Sequence, residues 1–538
     1  MAASSSVTPQ ISVHVGGGTT LAETGWYRCA PGQGLTPMKT QRKMTRCLTK
    51  RFLLRCRAAQ RGPRLLRSMS PTTRGAHMLP AMLMSALVCG LLPAETGAIE
   101  APRPNVILVM VDDLRVLDAS HLPPAVTPNL ERLRARGMSF ERAYVQVPVC
   151  NPGRTSFLTG LRPDSTGVQD NKTFYREIIP DVVTLPEVLA KRGYFTATIG
   201  KVFHKGEKWL EPGMWDLAVF PETTSAARTG TGRNMCGGVP SWCRWLASKG
   251  SDSDFGDGRI GRMSASFLDE IGDQKFFLAV GFHRPHSPYL APERYFQIYR
   301  LDQFDPLPSM TRDLASTPLA LGSQEKIEIF SRLKKRDRRE FLRAYYATVS
   351  FMDAQLGIIL DAMDRLDLWE NTLFIFLSDH GYHLGEQGWW DKNTLFEPSV
   401  QTPFIAYAPG MKGSGRSSRR LIELVDIYPT VVDYCRLKSP HRLDGVSLRP
   451  LLDKPRKVLK KAAFSQVLRE VEGEKVFGRS VRTKRWRYTE WDEGRSGIEL
   501  YDHKRDPGET SNLAGDPDYA GREASLRSIL RTGPLTPE

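Results

Sequence analysis

Four apolar runs, each ending abruptly in charged or polar residues, set the strongest limit on how this chain folds. The first, Asn105–Val111 (Asn-Val-Ile-Leu-Val-Met-Val), is apolar at almost every position. A strand with one face in water alternates apolar and polar residues. A run without that alternation belongs to a strand covered on both faces. Tyr194–Ile199, Phe276–Phe282 and Thr372–Leu377 repeat the texture. Helical patterns lie between them. One is Pro128–Arg136, with Thr127 as its cap and Gly137 as its stop; another runs from Thr184 to Gly193. A longer one covers about 337–366, where Met352, Leu356, Ile359, Leu360 and Met363 share one stripe. This alternation predicts an α/β domain with a mainly parallel central sheet sandwiched by helices.

Two stretches break the rhythm. Residues 207–265 are rich in Gly, Ser and Trp and read as a long surface insertion; residues 302–336 read as another. Around 440–457 the texture changes. Short alternating runs such as Gly478–Arg482 and Trp486–Thr489 predict antiparallel strands. The expected division is a catalytic domain over 99–455 and a small α+β C-terminal subdomain with an antiparallel sheet over 456–538. No internal repeat is visible.

Residues 1–98 form a basic leader. The apolar run Met78–Ala94 follows Arg74 and His77 and precedes the small residues Gly97-Ala98, the layout of a secretory signal peptide. A buried helix is the alternative. The run is short for a membrane span and is interrupted by Pro80 and Pro93, so no stable span is expected. Translation from Met69 or Met78 would leave 1–68 untranslated. The expected location is exported, periplasmic or extracellular. The formal net charge of +16 sits mostly in this leader, where Lys and Arg outnumber Asp and Glu 13 to 2. That distribution argues against nucleic acid as a partner. Four of the eight cysteines also lie there; Cys150, Cys236, Cys243 and Cys435 remain. Cys236 and Cys243, in a Gly-rich loop, either pair in an oxidising compartment or stay free. No cysteine spacing resembles a zinc site.

Polar residues follow each apolar run at once: Asp112-Asp113, then Lys201 and His204, then His283, Arg284 and His286, then Asp379 and His380. Ligands in open α/β sheets bind beyond the carboxyl ends of the strands, so these four clusters are expected to converge. Carboxylates from Asp112, Asp113 and Asp379 make a hard oxygen site, suited to calcium or magnesium rather than zinc, with His380 adding a nitrogen. Lys201, Lys392, Arg154 and His286 around a divalent ion call for an anionic substrate with tetrahedral oxygens, sulfate or phosphate. His283 and His383 lie close by in sequence without an assigned role.

The most specific feature is Cys150-Asn151-Pro152-Gly153-Arg154, followed by Thr155-Ser156-Phe157-Leu158-Thr159-Gly160. Its Cys-x-Pro-x-Arg core with Leu-Thr-Gly behind it resembles the active-site motif of the sulfatase family. The resemblance extends over nearly the whole mature chain. Its blocks are most similar to those of iduronate-2-sulfatases: Gly200-Lys201-Val202-Phe203-His204, Phe277–His286, Ser378-Asp379-His380-Gly381 with Leu384-Gly385-Glu386, and Leu500-Tyr501-Asp502 with Asp506-Pro507. Asn151 and Gly153 depart from the small Ala, Ser or Thr usual at those places, while Cys150, Pro152 and Arg154 are intact.

The resemblance implies an alkaline-phosphatase-like fold and a sulfuric ester hydrolase acting on a sulfated saccharide. It implies that a formylglycine-generating or equivalent maturase converts Cys150 to formylglycine, whose hydrated form attacks sulfur. Asp112, Asp113, Asp379, His380 and residue 150 itself would hold the metal, calcium with magnesium as the alternative. Arg154 would hold the formylglycine hydroxyl, and Lys201, Lys392 and His286 the sulfate. Either His286 or Lys392 would protonate the leaving alcohol, and His204 would take the proton whose loss expels sulfate. Two alternatives stand beside this reading: a phosphate or phosphonate monoester hydrolase of the same fold, and an inactive relative that binds sulfated glycans.

Overall fold

A computed structural model describes residues 26–30, 33–38, 103–117, 122–236, 241–307 and 318–533. The four apolar runs become β1 (Asn105–Asp112), β2 (Phe195–Gly200), β3 (Phe276–Pro285) and β4 (Thr372–Ser378). They are the adjacent, mutually parallel centre of one sheet, in the order β4-β1-β3-β2. Leu217–Val219 extends it in parallel beyond β2, and the backbone of Trp26–Ala30 and Gln33–Met38 continues that edge antiparallel. On the other side Phe404–Tyr407 pairs antiparallel with β4, Met138–Phe140 pairs antiparallel with that strand and so runs with the centre, and Arg416–Ser418, parallel to Met138–Phe140, closes the order.

The unbroken apolarity of β1 has a direct explanation. Ile107, Val109 and Val111 enter one core, and Val106, Leu108 and Met110 enter a second on the opposite face. Both faces are covered, so no position is left for a polar residue. One face carries α2 (Gly256–Ile271) and α3 (Lys335–Arg365); the other carries α1 (Cys150–Thr159), Leu185–Lys191 and Ile427–Tyr434. The stripe from Met352 to Met363 is fully buried in α3.

Three local expectations need correction. Thr127 precedes the helix Pro128–Arg136, but its side chain makes no cap hydrogen bond. The carboxylate of Asp353, from α3, accepts the amides of Asn129 (3.0 Å) and Leu130 (2.7 Å) instead. A tertiary contact thus does the work of a local cap. Residues 207–265 are not a surface insertion. They supply the central-sheet strand Leu217–Val219, two strands of a small sheet in which Arg244–Ser248 lies between Gly230–Asn234 and Tyr289–Pro292, and most of α2. Glycine disguised α2 as a loop. A Cβ on Gly261 would lie 2.9 Å from the carbonyl oxygen of Gln355, so the glycine is what lets α2 and α3 approach. Within 302–336, the described part includes the helix Gln324–Ser331; 308–317 lie outside the described residues.

The C-terminal region folds as a four-stranded antiparallel sheet of Ala462–Val471, Glu474–Thr483, Trp486–Trp491 and Ile498–Asp502, backed by the helix Ala520–Thr532. This is an alkaline-phosphatase-like arrangement, with a mostly parallel sheet between helices and a small antiparallel sheet beside it. Cys236 and Cys243 form a disulfide, while Cys150 and Cys435 are free and buried. Among the described residues no helix is long and apolar enough to cross a membrane. The Met78–Ala94 run and nearly all of the rest of the leader lie outside the described residues.

Candidate active site

Because β4, β1, β3 and β2 run in parallel side by side, the polar residues at their carboxyl ends are neighbours in space. Asp112 is the last residue of β1. Asp113 turns away with φ +67°, a left-handed conformation rare outside glycine and enriched at functional sites. Tyr345 of α3 holds that turn. Its hydroxyl donates to the carbonyl of Asp113 (2.7 Å) and accepts the amide of Arg115 (3.0 Å). Asp379 and His380 follow β4, and the amide of Asp379 donates to Val111 of the neighbouring strand (3.1 Å).

Cys150 starts α1 directly opposite. Its Sγ lies 3.3 Å from Asp112 Oδ1, 3.5 Å from His380 Nε2 and 3.2 Å from Lys392 Nζ. Burial and Asp112 push the thiol up, but Lys201 and Lys392 outweigh them and hold it well below its ordinary range. Arg154, one turn on and fully buried, donates from Nε to Asp379 Oδ2 (2.9 Å) and from Nη1 to the carbonyls of Lys201 and Val202. Its Nη2 is buried without a hydrogen-bond partner, 3.7 Å from Asp112 Oδ1.

Lys201 is ion-paired with Asp112, and Lys392 Nζ sits 2.5 Å from Asp113 Oδ1. Burial pushes the Asp112 carboxyl up, yet Lys201, His286, Arg154 and Lys392 hold it well below the usual carboxylate range. Asp379 goes the other way: burial, with the Asp112 charge beside it, lifts it to about 6 against Arg154. His380 Nδ1 donates to the Gly381 carbonyl (2.9 Å), which turns Nε2 towards Asp113 (3.4 Å) and Asp379 (3.6 Å). Burial pushes this imidazole down, but the Asp379 charge outweighs it and lifts it to about 9, and a bound cation would displace the Nε2 proton. His286 is fixed in the same way through Ser287 (2.6 Å), with Nε2 3.8 Å from Asp113. His204 has a buried Nδ1 with no partner, and burial pushes it down.

Two overlapping groups therefore offer donor atoms within 4.8 Å of one another: Asp112, Asp113, Cys150 and His286, and Asp112, Cys150, Asp379 and His380. In each group carboxylate oxygens predominate over one imidazole, which fits a hard divalent cation; the Cys150 sulfur is the soft exception, and an oxygen at that position would complete the fit. A third group, Glu397, His503 and Glu509, is already neutralised by Arg482 and Arg487.

The structure brings every expected site residue to this centre. It also places two that had no assigned role. His383 is buried with Nε2 at Thr394 Oγ1 (2.8 Å) and Nδ1 at the Glu386 carbonyl (3.2 Å), so it braces a loop. His283 is exposed, on the wall of a cavity of about 550 Å³ that opens beside Lys201, His204 and His286. Tyr345 was invisible in the sequence, because it is one aromatic among many on a buried helix. The departures in the motif are accommodated. Asn151 donates to the carbonyls of Asp170 (2.7 Å) and Thr173 (2.8 Å). Gly153 packs where an added Cβ would lie 3.1 Å from the Asp379 carbonyl.

Comparison with known proteins agrees with this geometry. A family model described as Sulfatase matches residues 104–436, and one described as N-sulphoglucosamine sulphohydrolase, C-terminal, matches 385–533. A sulfatase of Formosa agariphila is 30% identical over 463 residues, covering 80% of this chain and 87% of its own. Human iduronate 2-sulfatase is 28% identical over 502 residues, covering 79% and 91%. Among solved structures, a protein in complex with its substrate D-glucosamine-2-N,6-O-disulfate superposes with a TM-score of 0.64 at 22% identity, covering 80% of this chain and 97% of that one. The phosphonate monoester hydrolase of Agrobacterium radiobacter gives 0.65 at 23%, covering 80% and 95%. Since the first of those family matches spans more than half of the chain and contains the Cys150 centre, this chain belongs to the sulfatase family.

Proposed function

We propose that this protein releases inorganic sulfate from a sulfated saccharide of the glycosaminoglycan type, using an aldehyde made from Cys150 and a bound calcium ion. The observation that carries the reading is the position of Cys150 Sγ, within 3.5 Å of a carboxylate, an imidazole and an ammonium group at once. Human iduronate 2-sulfatase and the glucosamine-disulfate complex point to sulfated sugars as the substrate class. An iduronate 2-sulfate is the first sugar to test.

Asp112, Asp113, Asp379, His380 and residue 150 would hold the ion, which supplies positive charge to the sulfate oxygens and acidifies a bound hydroxyl. The aldehyde, once hydrated, would supply a hydroxyl nucleophile to sulfur. The chain's own groups do the rest. Arg154 Nη2, buried and unpartnered 3.7 Å from Asp112 Oδ1, would donate to an oxygen at residue 150. Lys201 and Lys392, paired with Asp112 and Asp113 at the site, would neutralise the sulfate. His286, half exposed to the cavity, would protonate the departing alcohol, with Lys392 as the alternative donor. His204, which burial pushes down and whose Nδ1 has no partner, would accept the proton whose loss lets sulfate leave. The secretory-signal pattern before residue 99 supports export.

Parallel assays with p-nitrophenyl sulfate, p-nitrophenyl phosphate and a phenylphosphonate ester test the reaction class. The reading expects sulfate release to dominate kcat/KM. Dominance of the phosphonate ester, or sulfated-glycan binding with no release, would overturn it.

A further inference from the structure

Lys392 touches both Cys150 and Asp113, yet it stands on an irregular segment with no helix or strand to hold it. The segment is pinned residue by residue instead. The Asp391 carbonyl accepts the amide of His383 (3.0 Å), and its carboxylate is ion-paired with Lys326 of Gln324–Ser331. The Lys392 carbonyl accepts Trp389 Nε1 (3.0 Å). The amide of Asn393 donates to Pro148 (3.1 Å), two residues before Cys150.

The last hold comes from the C-terminal sheet. Arg469, on Ala462–Val471, donates from Nη2 to the Asn393 carbonyl (2.5 Å), from Nη1 to Asn393 Oδ1 (3.2 Å) and from Nε to the Leu319 carbonyl (3.1 Å). Asn393 has φ +67°, a conformation that needs support from its surroundings. Arg469 is only 5% exposed, lies 5.5 Å from the Trp491 ring, and is packed so tightly that a Cβ on Gly322 would meet its guanidinium carbon at 2.6 Å. Among the described residues no carboxylate pairs with it, and burial pushes its guanidinium down to about 10. A buried cation with only neutral acceptors is a poor way to stabilise a fold. It is a good way to fix geometry, because the planar fork reaches two segments at set angles where a lysine would reach one.

We propose that Arg469 is a positioning residue for Lys392: through Asn393 the C-terminal sheet sets where the Lys392 ammonium meets the sulfate. This rests on Lys392 being a sulfate ligand, as proposed above. The test is a double-mutant cycle in the full-length, matured protein, read by calorimetric titration with inorganic sulfate, which needs no turnover. Arg469→Gln should weaken sulfate binding about tenfold on its own, and less than about twofold in a Lys392→Ala background. Arg469→Lys, which keeps the charge and loses the fork, should bind as weakly as Arg469→Gln. Equal losses in both backgrounds, no loss in either, or recovery by Arg469→Lys would overturn the proposal. If Arg469→Gln does not fold, Asn393→Gly keeps the left-handed backbone and removes one acceptor. Its smaller loss should also vanish without Lys392, and persistence there would overturn the proposal. A parent protein that binds no sulfate defeats the reading of the site, whereas binding with an additive cycle defeats Arg469 alone.

Discussion

Replacing Arg487 by methionine probes what joins the C-terminal sheet to the rest of the molecule. Arg487 is 1% exposed, on Trp486–Trp491, and its guanidinium pairs with both Glu397 and Glu509. Glu397 opens the helix Glu397–Val400, just after the segment that carries Lys392, and its amide donates to Glu509 (2.7 Å). The size of the effect follows by two routes. Burial pushes the Glu509 carboxyl up, but Arg487 and His503 outweigh it and take it from 4.5 down to about 2. By linkage the whole shift, Arg487 and His503 together, is worth about 3 kcal/mol at neutral pH, which bounds the share of Arg487 from above. Independently, truncating one partner of a buried ion pair costs about 3–5 kcal/mol. Arg482 still reaches Glu397 (3.0 Å) and His503 still reaches Glu509 (2.9 Å), which favours the lower end. Arg487→Met should therefore cost about 3 kcal/mol at pH 7, read from urea unfolding followed by fluorescence and circular dichroism together. The pH dependence has a definite sign. The folded carboxyl titrates below its unfolded value, so its stabilisation is full above about pH 4.5 and is lost as pH falls towards 2. The gap between parent and variant should shrink over that window. A variant within about 0.5 kcal/mol of the parent at pH 7, or a gap that persists unchanged in acid, refutes the reasoning.

Three further perturbations follow. Cys150→Ala should lower kcat on p-nitrophenyl sulfate by roughly a thousandfold or more while the fold survives, and a loss under about tenfold would contradict a nucleophile at that position. Calcium removal with a chelator should abolish turnover reversibly and lower thermal stability, since a ligand at a hundred times its Kd adds about 2.7 kcal/mol; indifference of both would count against the ion. Gly261→Val should cost about 1–3 kcal/mol in urea unfolding, because its Cβ would press on the Gln355 carbonyl between α2 and α3, and a neutral result would show that the helices can separate freely.

Much of the sheet was legible because burial on both faces writes itself into the sequence. Every residue of β1 is buried, and the run from Asn105 to Val111 says so directly. The polar residues at the strand ends were legible for a related reason: Asp112, Lys201, His286 and Asp379 interrupt apolar runs where nothing but a site needs charge. The helix α2 was hidden because Gly256, Gly258 and Gly261, poor helix formers, are there for close packing; a Cβ on Gly258 would collide with the Asp252 carbonyl at 1.8 Å. Leu217–Val219 is too short for its period to register. Tyr345 and Arg469 were beyond reach for another reason. Each acts on a residue far along the chain, Asp113 and Asn393, and no local pattern encodes such a contact.

The central claim is that residue 150 works only after it has ceased to be a cysteine. Mass spectrometry of the Cys150 peptide, taken from the same preparation whose sulfatase turnover is measured, tests it most directly. The account predicts an aldehyde at position 150, in a fraction that scales with specific activity across preparations made with and without a maturase. A fully active preparation carrying an intact thiol at Cys150 would contradict it.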